Sequence, residues 1–286
     1  MTDNSFNRLP LPAEQLDNLD SLGYREMTAI QAATLPLALA GRDLIAQAKT
    51  GSGKTAAFTL PLLDKINPRD FGAQALILCP TRELATQVAS EIRRLARYRQ
   101  NTKVVILCGG QSIGPQIGSL EHGAHIVVGT PGRIRDHLRK QTLSLARVNT
   151  LVLDEADRML EMGFADDIEH IIGQTPDTRQ TLLFSATYPE DILGLSARFQ
   201  QEPERVTVDS LHGSEHIGQQ FYICSKQGRL AGLATLLNHF RPQSAVVFCN
   251  TRQLVREVCQ HLADNGISAQ GLHGDMEQRD RDQVLI

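Results

Sequence analysis

Apolar runs of strand length alternate with longer amphipathic stretches along the first 208 residues of this chain. Buried parallel strands have nearly continuous apolar sequences, and amphipathic stretches of this length suit the helices that connect such strands. The pattern therefore predicts an α/β fold with a central parallel sheet. The six predicted strands are 43–48, 73–79, 103–107, 125–129, 149–153 and 180–184.

A polar stretch that contains Ser, His and Gly interrupts this alternation at 209–218, and we interpret it as a linker. A second α/β series follows the linker, with helices predicted over 227–240 and 252–265. The strands predicted in this second series are 219–224, 244–249 and 267–272.

These patterns predict a first domain over 1–208 and the N-terminal part of a second domain over 219–286. The second segment holds 68 residues, whereas an independent α/β domain needs on the order of 100. We therefore expect the chain to be a fragment, or the product of a truncated gene.

Composition limits the partners and the compartment that we expect. The formal net charge is −3, so contact with nucleic acid must come from local basic patches and not from a global field. The five cysteines are odd in number and lack CxxC spacing, so we expect neither disulfides nor zinc. The N-terminus has no apolar targeting region and no long apolar run occurs, so we expect a cytoplasmic protein without membrane association.

Polar or glycine-rich clusters directly follow five of the six predicted strands. The carboxyl ends of parallel strands meet at one rim of a sheet, and ligands of open α/β sheets bind at this rim. Structural turns alone would be scattered over both rims, so this placement predicts a functional site. The clusters are 49–55, 80–83, 130–133, 154–157 and 185–187.

The first cluster lies in the sequence AQAKTGSGKT, which nearly matches the phosphate-binding pattern G-x-x-x-x-G-K-[ST] but has Ala48 in place of the first glycine. Gly51 and Gly53 allow backbone N–H groups to face one concavity, next to the N-terminus of the following helix. Lys54 would reach the β- and γ-phosphates, and the Thr55 hydroxyl would bind Mg²⁺. The alternative is a glycine-rich turn without a ligand.

Paired carboxylates, Asp154 and Glu155, end another apolar strand. Charge at a buried strand end is costly unless a cation lies nearby, so we expect Asp154 to bind Mg²⁺ and Glu155 to act as general base toward water. The alternative is a helix N-terminus, with Asp154 as the cap and Asp157 three residues later.

The motifs AKTGSGKT, PTRELA, TPGR, DEAD and SAT, in this order, resemble those of the DEAD-box ATP-dependent RNA helicases. VVFCNTR (246–252) and LHGDMEQRDR (272–281) resemble the first two motifs of that family's second domain. GYREMTAIQ (23–31) resembles its adenine-reading Q motif, with Met27 where Pro is usual. The resemblance implies RecA-like domains, ATP and Mg²⁺ as cofactors, and Ala as an ordinary residue at position 48.

The resemblance implies that Gln31 reads adenine and that Thr28 supports it, whereas the residues alone would make Gln31 a surface residue of a helix. It also implies that Ser185 and Thr187 couple the nucleotide state to domain closure through the Asp157 region, although a plain turn is the alternative. The implied nucleotide-binding residues are Phe6, Tyr24, Thr28, Gln31, Ala48, Lys49, Thr50, Gly51, Ser52, Gly53, Lys54 and Thr55.

An RNA track is also implied by the resemblance, and its hydroxyls and glycine N–H groups suit phosphate contacts that carry no sequence information. For two of its arginines, Arg82 and Arg133, the alternatives are a solvated helix start or ion pairs with Glu83 and Asp136. The implied RNA-binding residues are Pro80, Thr81, Arg82, Gly109, Gly110, Thr130, Gly132 and Arg133, with Thr251, Gly274 and Gln278 in the second segment.

Within the family, the motif sequences are most similar to a bacterial DbpA-type branch, which implies a role in assembly of the large ribosomal subunit and ribosomal RNA as partner. We expect a monomer that binds ATP–Mg²⁺ and RNA but hydrolyses ATP poorly, since the remaining second-domain motifs lie beyond Ile286. The alternatives are a non-catalytic ATP- and RNA-binding fragment, and a DNA translocase on the same scaffold.

Overall fold

The computed structural model describes residues 4–49, 51–187, 190–208, 218–225 and 228–284. Its internal contacts divide the chain into two compact units, Met1–Leu211 and His212–Ile286. Most of the predicted linker, 209–217, and Thr50 of the phosphate loop lie outside the described residues.

The first unit alternates strands and helices, as the sequence predicts, after a short 3₁₀ helix at Phe6–Arg8. Its strands are β1 (Leu44–Gln47), β2 (Ala75–Leu78), β3 (Val104–Leu107), β4 (Ile126–Gly129), β5 (Thr150–Leu153), β6 (Gln180–Ser185) and β7 (Glu204–Thr207). Its helices are α1 (Ala13–Ser21), α2 (Ala29–Leu39), α3 (Lys54–Lys65), α4 (Arg82–Leu95), α5 (Gly114–Glu121), α6 (Pro131–Arg139), α7 (Ala156–Glu161), α8 (Ala165–Ile172) and α9 (Glu190–Phe199).

The seven strands form one sheet in the order β3-β4-β2-β5-β6-β1-β7, and all of its strand pairs are parallel. This confirms the predicted α/β class. The sequence did not predict β7, because its run Glu204–Thr207 has a single apolar residue, Val206. The strand pairs only with β1 at the sheet edge, where a continuous apolar sequence is not needed.

Helices cover both faces of the sheet, and each face has its own apolar core. On one face, Phe58 of α3 packs edge-on against Phe184 of β6, with ring centroids 5.4 Å apart. On the other face, Ile45 and Leu183 from the sheet pack with Met159 and Ile168. Burial on both faces explains why the central strands are apolar at nearly every position.

Among its described residues, the second unit contains three helices, α10 (Arg229–Phe240), α11 (Arg252–Asp264) and α12 (Gln278–Val284). The strands predicted at 219–224, 244–249 and 267–272 are wrong, because the described residues there form no strand. Phe221 and Phe248 are 90% and 95% exposed, so these apolar runs lack the paired neighbours and covering helices that a parallel strand requires.

Asp43, at the entrance to β1, is buried and joins three segments of the first unit. Its Oδ1 accepts a hydrogen bond from the Thr181 N–H at 2.7 Å and its Oδ2 accepts one from the Gln201 N–H at 2.9 Å. We expect Asp43→Ala to lower the free energy of unfolding by about 3 kcal/mol, because the buried Thr181 N–H and the partly buried Gln201 N–H both lose a carboxylate acceptor. Urea unfolding followed by circular dichroism measures this change.

The matched control is Asp17→Ala, which removes an exposed carboxylate from α1. We expect it to change the free energy of unfolding by less than about 0.5 kcal/mol. Equal urea midpoints for the two variants would contradict the role of Asp43.

Candidate functional site

The five polar clusters predicted from the sequence lie at one rim of the sheet, since each follows a strand whose pairing is parallel. The sheet order divides this rim into two neighbouring halves. Strands β5, β6 and β1 carry the residues predicted to bind nucleotide and metal. Strands β3, β4 and β2 carry the residues predicted to bind RNA.

The phosphate loop connects β1 to α3 and is built around two glycines with positive φ. Gly51 has φ 80° and Gly53 has φ 93°, and Gly53 is also the N-cap of α3. Such angles are strained for other residues, so both positions require glycine. Ala48 does not have a positive φ, so alanine fits where the general pattern has its first glycine.

Lys54 is buried at the start of α3, and its Nζ donates a hydrogen bond to the Ala48 carbonyl at 3.0 Å. Two other polar atoms in this region, Ser52 Oγ and Asp154 Oδ1, are buried without a hydrogen-bond partner. Unpaired buried polar atoms are costly, and ligand atoms would satisfy them. A phosphate oxygen suits the Ser52 hydroxyl, and a cation suits Asp154.

Asp154, directly after β5, is the most buried carboxylate of the site. Burial raises the pKa of Asp154 to about 6, the nearby charge of Lys54 opposes this, and Glu155 adds to it. The described residues contain no group of three or more His, Cys, Asp or Glu side chains that would hold a metal. A cation at Asp154 therefore needs further oxygen ligands, such as the Thr55 hydroxyl and phosphate oxygens.

Glu155 has φ 53° and ψ 52°, a left-handed conformation that is uncommon for a glutamate. Its side chain lies 3.7 Å from the Arg158 guanidinium. The alternative of a helix capped by Asp154 is wrong, because Glu155 is the N-cap of α7 and makes no side-chain capping bond. Backbone strain of this kind is concentrated at functional sites.

Asp157 joins the end of β5 to the segment that follows β6. Its Oδ2 accepts hydrogen bonds from the Thr187 N–H at 3.0 Å and from the Thr187 hydroxyl at 2.9 Å. The Ser185 hydroxyl donates to the Thr187 carbonyl at 2.6 Å. Although burial raises the pKa of Asp157, hydrogen bonds from Thr187, Arg158 and Ser185 outweigh it and hold the pKa below its ordinary value. This segment is therefore tied to the DEAD sequence, and the alternative of a plain turn is wrong.

Gln31 is buried, so the expectation from the residues alone, a surface position, is wrong. Thr28 and Gln31 form a capping box at the start of α2, in which Gln31 Oε1 accepts from the Thr28 N–H at 2.9 Å. Gln31 Nε2 donates to the Gly53 carbonyl at 3.0 Å. A Cβ at Gly53 would lie 2.5 Å from this nitrogen, so glycine there also permits the Gln31 contact.

The two aromatic residues predicted near the nucleotide lie against each other. The rings of Phe6 and Tyr24 meet edge-on at 6.2 Å, and Phe6 is buried. The Tyr24 hydroxyl donates to Glu91 on α4. Burial, reinforced by the hydrogen bond to Glu91, raises the pKa of Tyr24 well above its usual range.

On the other half of the rim, the loop after β3 contacts both predicted RNA-binding arginines. A Cβ at Gly110 would overlap the Arg82 guanidinium, so that group lies against the Gly110 backbone. Arg133 Nη2 donates to the Gln111 carbonyl at 2.9 Å. The alternative of an Arg133–Asp136 ion pair is wrong, since Asp136 pairs with Arg139 at 3.2 Å.

The remaining RNA-binding candidates of the first unit lie beside this loop. Thr81 caps α4 by accepting from the Leu84 N–H at 3.2 Å, and the Thr130 N–H donates to the Leu107 carbonyl at 3.1 Å. Pro80, Gly109 and Gly132 also lie at strand ends or helix starts of this half. Three residues that the sequence did not predict, Gln111, Gln116 and His137, contact the loop or its neighbours. No spacing rule marks such residues.

In the second unit, Thr251 caps α11 by accepting from the Leu254 N–H at 3.1 Å. Gly274 precedes α12, and Gln278 is its first residue. Between them, Asp275 pairs with Arg252 and lies 3.7 Å from Arg256. The three candidates of this unit therefore lie at helix N-termini or next to one.

A parallel α/β sheet with a phosphate loop, a buried carboxylate and a rim divided in two is the architecture of a P-loop nucleotide-binding protein. The DEAD/DEAH box helicase model matches residues 28–194, and the helicase conserved C-terminal domain model matches residues 228–285. The chain belongs to the DEAD/DEAH box helicase family, which confirms the resemblance drawn from its motifs.

Individual relatives agree with this assignment. The chain is 56% identical over 276 residues to the ATP-dependent RNA helicase DbpA of Escherichia coli (strain K12), covering 96% of this chain and 60% of that protein. It is 44% identical over 282 residues to the DEAD-box ATP-dependent RNA helicase CshA of Bacillus cereus (strain ATCC 10987 / NRS 248), covering 98% of this chain and 54% of that protein. The chain thus spans little more than half the length of these two relatives.

Solved structures give the same result. Saccharomyces cerevisiae Dbp5 bound to RNA and ADP BeF3 superposes with a TM-score of 0.87 at 27% identity, over 99% of this chain and 72% of that chain. A DEAD box protein from the hyperthermophile Methanococcus jannaschii superposes with a TM-score of 0.69 at 39% identity, over 98% of this chain and 76% of that chain. Among the residues that the structure describes, no helix is long and apolar enough to cross a membrane.

Proposed function

We propose that this chain is the nucleotide- and RNA-binding part of an ATP-dependent RNA helicase, in which RNA-stimulated ATP hydrolysis drives separation of RNA duplexes. The division of the rim by the sheet order carries this proposal. A phosphate loop follows β1, and a buried carboxylate with one unpaired oxygen follows β5, while a cluster of arginines, hydroxyls and glycines follows β2, β3 and β4. The two sets of residues share one edge of one rigid sheet.

In the proposed nucleotide site, the backbone N–H groups of Gly51 and Gly53 and the N-terminus of α3 bind phosphate oxygens. Lys54 moves from the Ala48 carbonyl to the β- and γ-phosphates, where its charge stabilises the transition state. Thr55 and Asp154 would hold Mg²⁺, which would supply neutralisation of the charge that develops on the phosphates. Gln31 and Thr28 lie beside Gly53 and read adenine, and Phe6 and Tyr24 support this segment.

Glu155 is the proposed general base, which orients a water molecule and takes its proton as the water attacks the γ-phosphate. The left-handed backbone at Glu155 turns the chain between β5 and α7 at this point. Asp157, Ser185 and Thr187 form the hydrogen-bonded connection that would report the nucleotide state to the rest of the molecule.

The proposed RNA site uses contacts that suit phosphates of any sequence. Arg82 and Arg133 supply positive charge, while Thr81, Thr130, Gly109 and Gly110 offer hydroxyl or N–H donors. Thr251, Gly274 and Gln278 would contribute from the second unit. We further propose domain boundaries at 1–208, 209–218 and 219–286 and a cytoplasmic monomer, as expected from the sequence. The likeness to DbpA supports the proposal that ribosomal RNA of the large subunit is the physiological partner.

RNA stimulation of ATP hydrolysis tests the proposed function. ATP turnover by the 286-residue chain is measured alone, with single-stranded RNA, and with DNA of the same sequence. We expect slow hydrolysis that RNA raises and DNA does not, since the 2′-OH distinguishes the two. Equal stimulation by DNA would favour a DNA translocase, and binding of ATP and RNA without any turnover would favour the non-catalytic fragment.

Arg133 gives a second test, directed at the RNA half of the rim. We expect Arg133→Ala to weaken binding of single-stranded RNA about tenfold and to lower the slope of log affinity against log salt by about 1, because one phosphate contact is lost. Fluorescence anisotropy at several salt concentrations measures both quantities. Arg139→Ala, at the exposed end of the same helix, is the control, and an equal loss in both variants would contradict a specific role.

A further inference from the structure

A network of hydrogen-bonded polar side chains, formed by Thr142, His137 and Gln116, connects α6 to the end of β3. This polar network contains none of the residues assigned to the proposed function. His137 of α6 is fully buried, and Gln116 of α5 is 8% exposed. His137 Nδ1 lies 2.8 Å from Thr142 Oγ1, and His137 Nε2 lies 3.1 Å from Gln116 Oε1. Gln116 Nε2 then donates to the Cys108 carbonyl at 2.9 Å.

With a neutral histidine, every hydrogen bond of the polar network can form with only one assignment of donors and acceptors. The Cys108 carbonyl only accepts, so the Gln116 NH₂ group faces it and the Gln116 oxygen faces His137. His137 Nε2 therefore carries the proton, and its Nδ1 accepts from the Thr142 hydroxyl. Burial lowers the pKa of His137, with the charge of Arg133 adding to this, so the neutral form is the stable one.

The polar network ends at the Cys108 carbonyl, at the start of the loop that contains the glycines proposed to bind RNA. Cys108 immediately precedes Gly109 and Gly110 in the sequence. At the other end of the loop, Arg133 donates to the Gln111 carbonyl. Arg133 and His137 lie four residues apart and therefore share one face of α6. One helix face thus fixes both ends of a four-residue loop.

The loop needs such support because its own backbone offers little. Gly110 has φ 74°, and no atom lies within 4 Å of a Cβ built at Gly109. Glycines lose the most conformational entropy when they are ordered, so a loop with two of them samples many conformations unless it is held. Its backbone N–H groups bind a phosphate well only if they are already oriented.

We propose that Gln116 and His137 are positioning residues, which hold the Gly109–Gly110 loop in the conformation that binds the RNA backbone. This inference rests on the proposed function of the loop. Gln116 orients the Cys108 carbonyl directly, His137 fixes the Gln116 amide, and Thr142 fixes the histidine ring. The effect of losing a residue on the loop should therefore decrease with the number of hydrogen bonds that separate it from the loop.

Three variants test this order, Gln116→Leu, His137→Phe and Thr142→Val. Amide hydrogen exchange of a peptide covering the loop reports its conformation. Fluorescence anisotropy with a labelled ten-nucleotide oligouridine, in the presence of Mg²⁺ and ADP–beryllium fluoride, reports RNA affinity, and titration with a fluorescent ATP analogue reports nucleotide affinity. The control is Gln15→Leu, the same substitution at a fully buried glutamine whose amide has no hydrogen-bond partner.

For Gln116→Leu we expect about tenfold faster exchange in the loop and about tenfold weaker RNA binding, because a buried carbonyl loses its donor. His137→Phe should change loop exchange and RNA affinity about threefold, and Thr142→Val should change them less than about twofold. Both variants keep the hydrogen bond from Gln116 to the Cys108 carbonyl. Nucleotide affinity should stay within about twofold in all three. If Gln116→Leu does not fold, the other two variants still test the order.

Several results would overturn the inference. One is faster exchange in the loop with unchanged RNA affinity, and another is an equal loss of RNA and nucleotide affinity. A third is an RNA loss of the same size in Gln15→Leu. Failure of the proposed RNA-binding role would look different, since the unaltered chain would then bind no RNA at all.

Discussion

Lys54→Ala should weaken binding of ATP–Mg²⁺ at least tenfold and lower the rate of hydrolysis by about 10³-fold or more. The ammonium group is the only charged donor that the phosphate loop holds in a buried position among its described residues. It already lies inside the loop, on the Ala48 carbonyl, so it needs only a short movement to reach a phosphate. Titration with a fluorescent ATP analogue and single-turnover hydrolysis measure the two quantities.

The same substitution also acts on the metal site. The Lys54 charge opposes the effect of burial on Asp154, so its removal should raise the pKa of that carboxyl further and weaken Mg²⁺ binding. Lys65→Ala is the matched control, because Lys65 ends the same helix at the opposite rim of the sheet. Normal ATP–Mg²⁺ affinity in Lys54→Ala, or equal losses in both variants, would contradict the phosphate-loop interpretation.

Glu155→Gln should lower the rate of hydrolysis about 10²- to 10⁴-fold, because an amide cannot accept the proton of the attacking water. We expect ATP–Mg²⁺ affinity to change less than about twofold, since glutamine has nearly the same shape. The pair with Arg158 is long and partly exposed, so its loss should cost little stability. Single-turnover hydrolysis, with protein in excess over labelled ATP, measures the rate.

The control for Glu155→Gln is Glu161→Gln, the same substitution at the exposed last residue of α7. It should leave hydrolysis and nucleotide affinity unchanged. If Glu155→Gln instead lost nucleotide affinity and kept its hydrolysis rate, Glu155 would be a binding residue and not the general base.

Much of the nucleotide half of the site could be predicted because its residues are consecutive. The loop 49–55 and the carboxylates Asp154 and Glu155 each follow directly on an apolar strand, so local sequence shows both the element and the ligand chemistry. Gln31 could not be placed in this way. Its burial arises from contact with Gly53, 22 residues later, and a helix sequence alone does not show which face another segment covers.

The strands predicted in the second unit show the opposite limit. Their apolar composition is that of buried strands, yet Phe221 and Phe248 are exposed and the runs remain unpaired. A parallel strand gains its stability from hydrogen bonds to neighbours on either side and from helices on both faces. An apolar composition therefore shows that a segment is able to form a buried strand, while the presence of neighbouring strands and covering helices determines whether the strand forms.

The sequence by itself determined the α/β class, the phosphate loop and the paired carboxylates, because apolar periodicity and consecutive motif residues are local properties. Only the tertiary structure decided the order of the strands, which sets the residues proposed to bind nucleotide, after β5, β6 and β1, beside those proposed to bind RNA, after β3, β4 and β2. It also decided that His137 and Gln116 support Cys108, since hydrogen bonds between distant residues depend on packing and not on spacing.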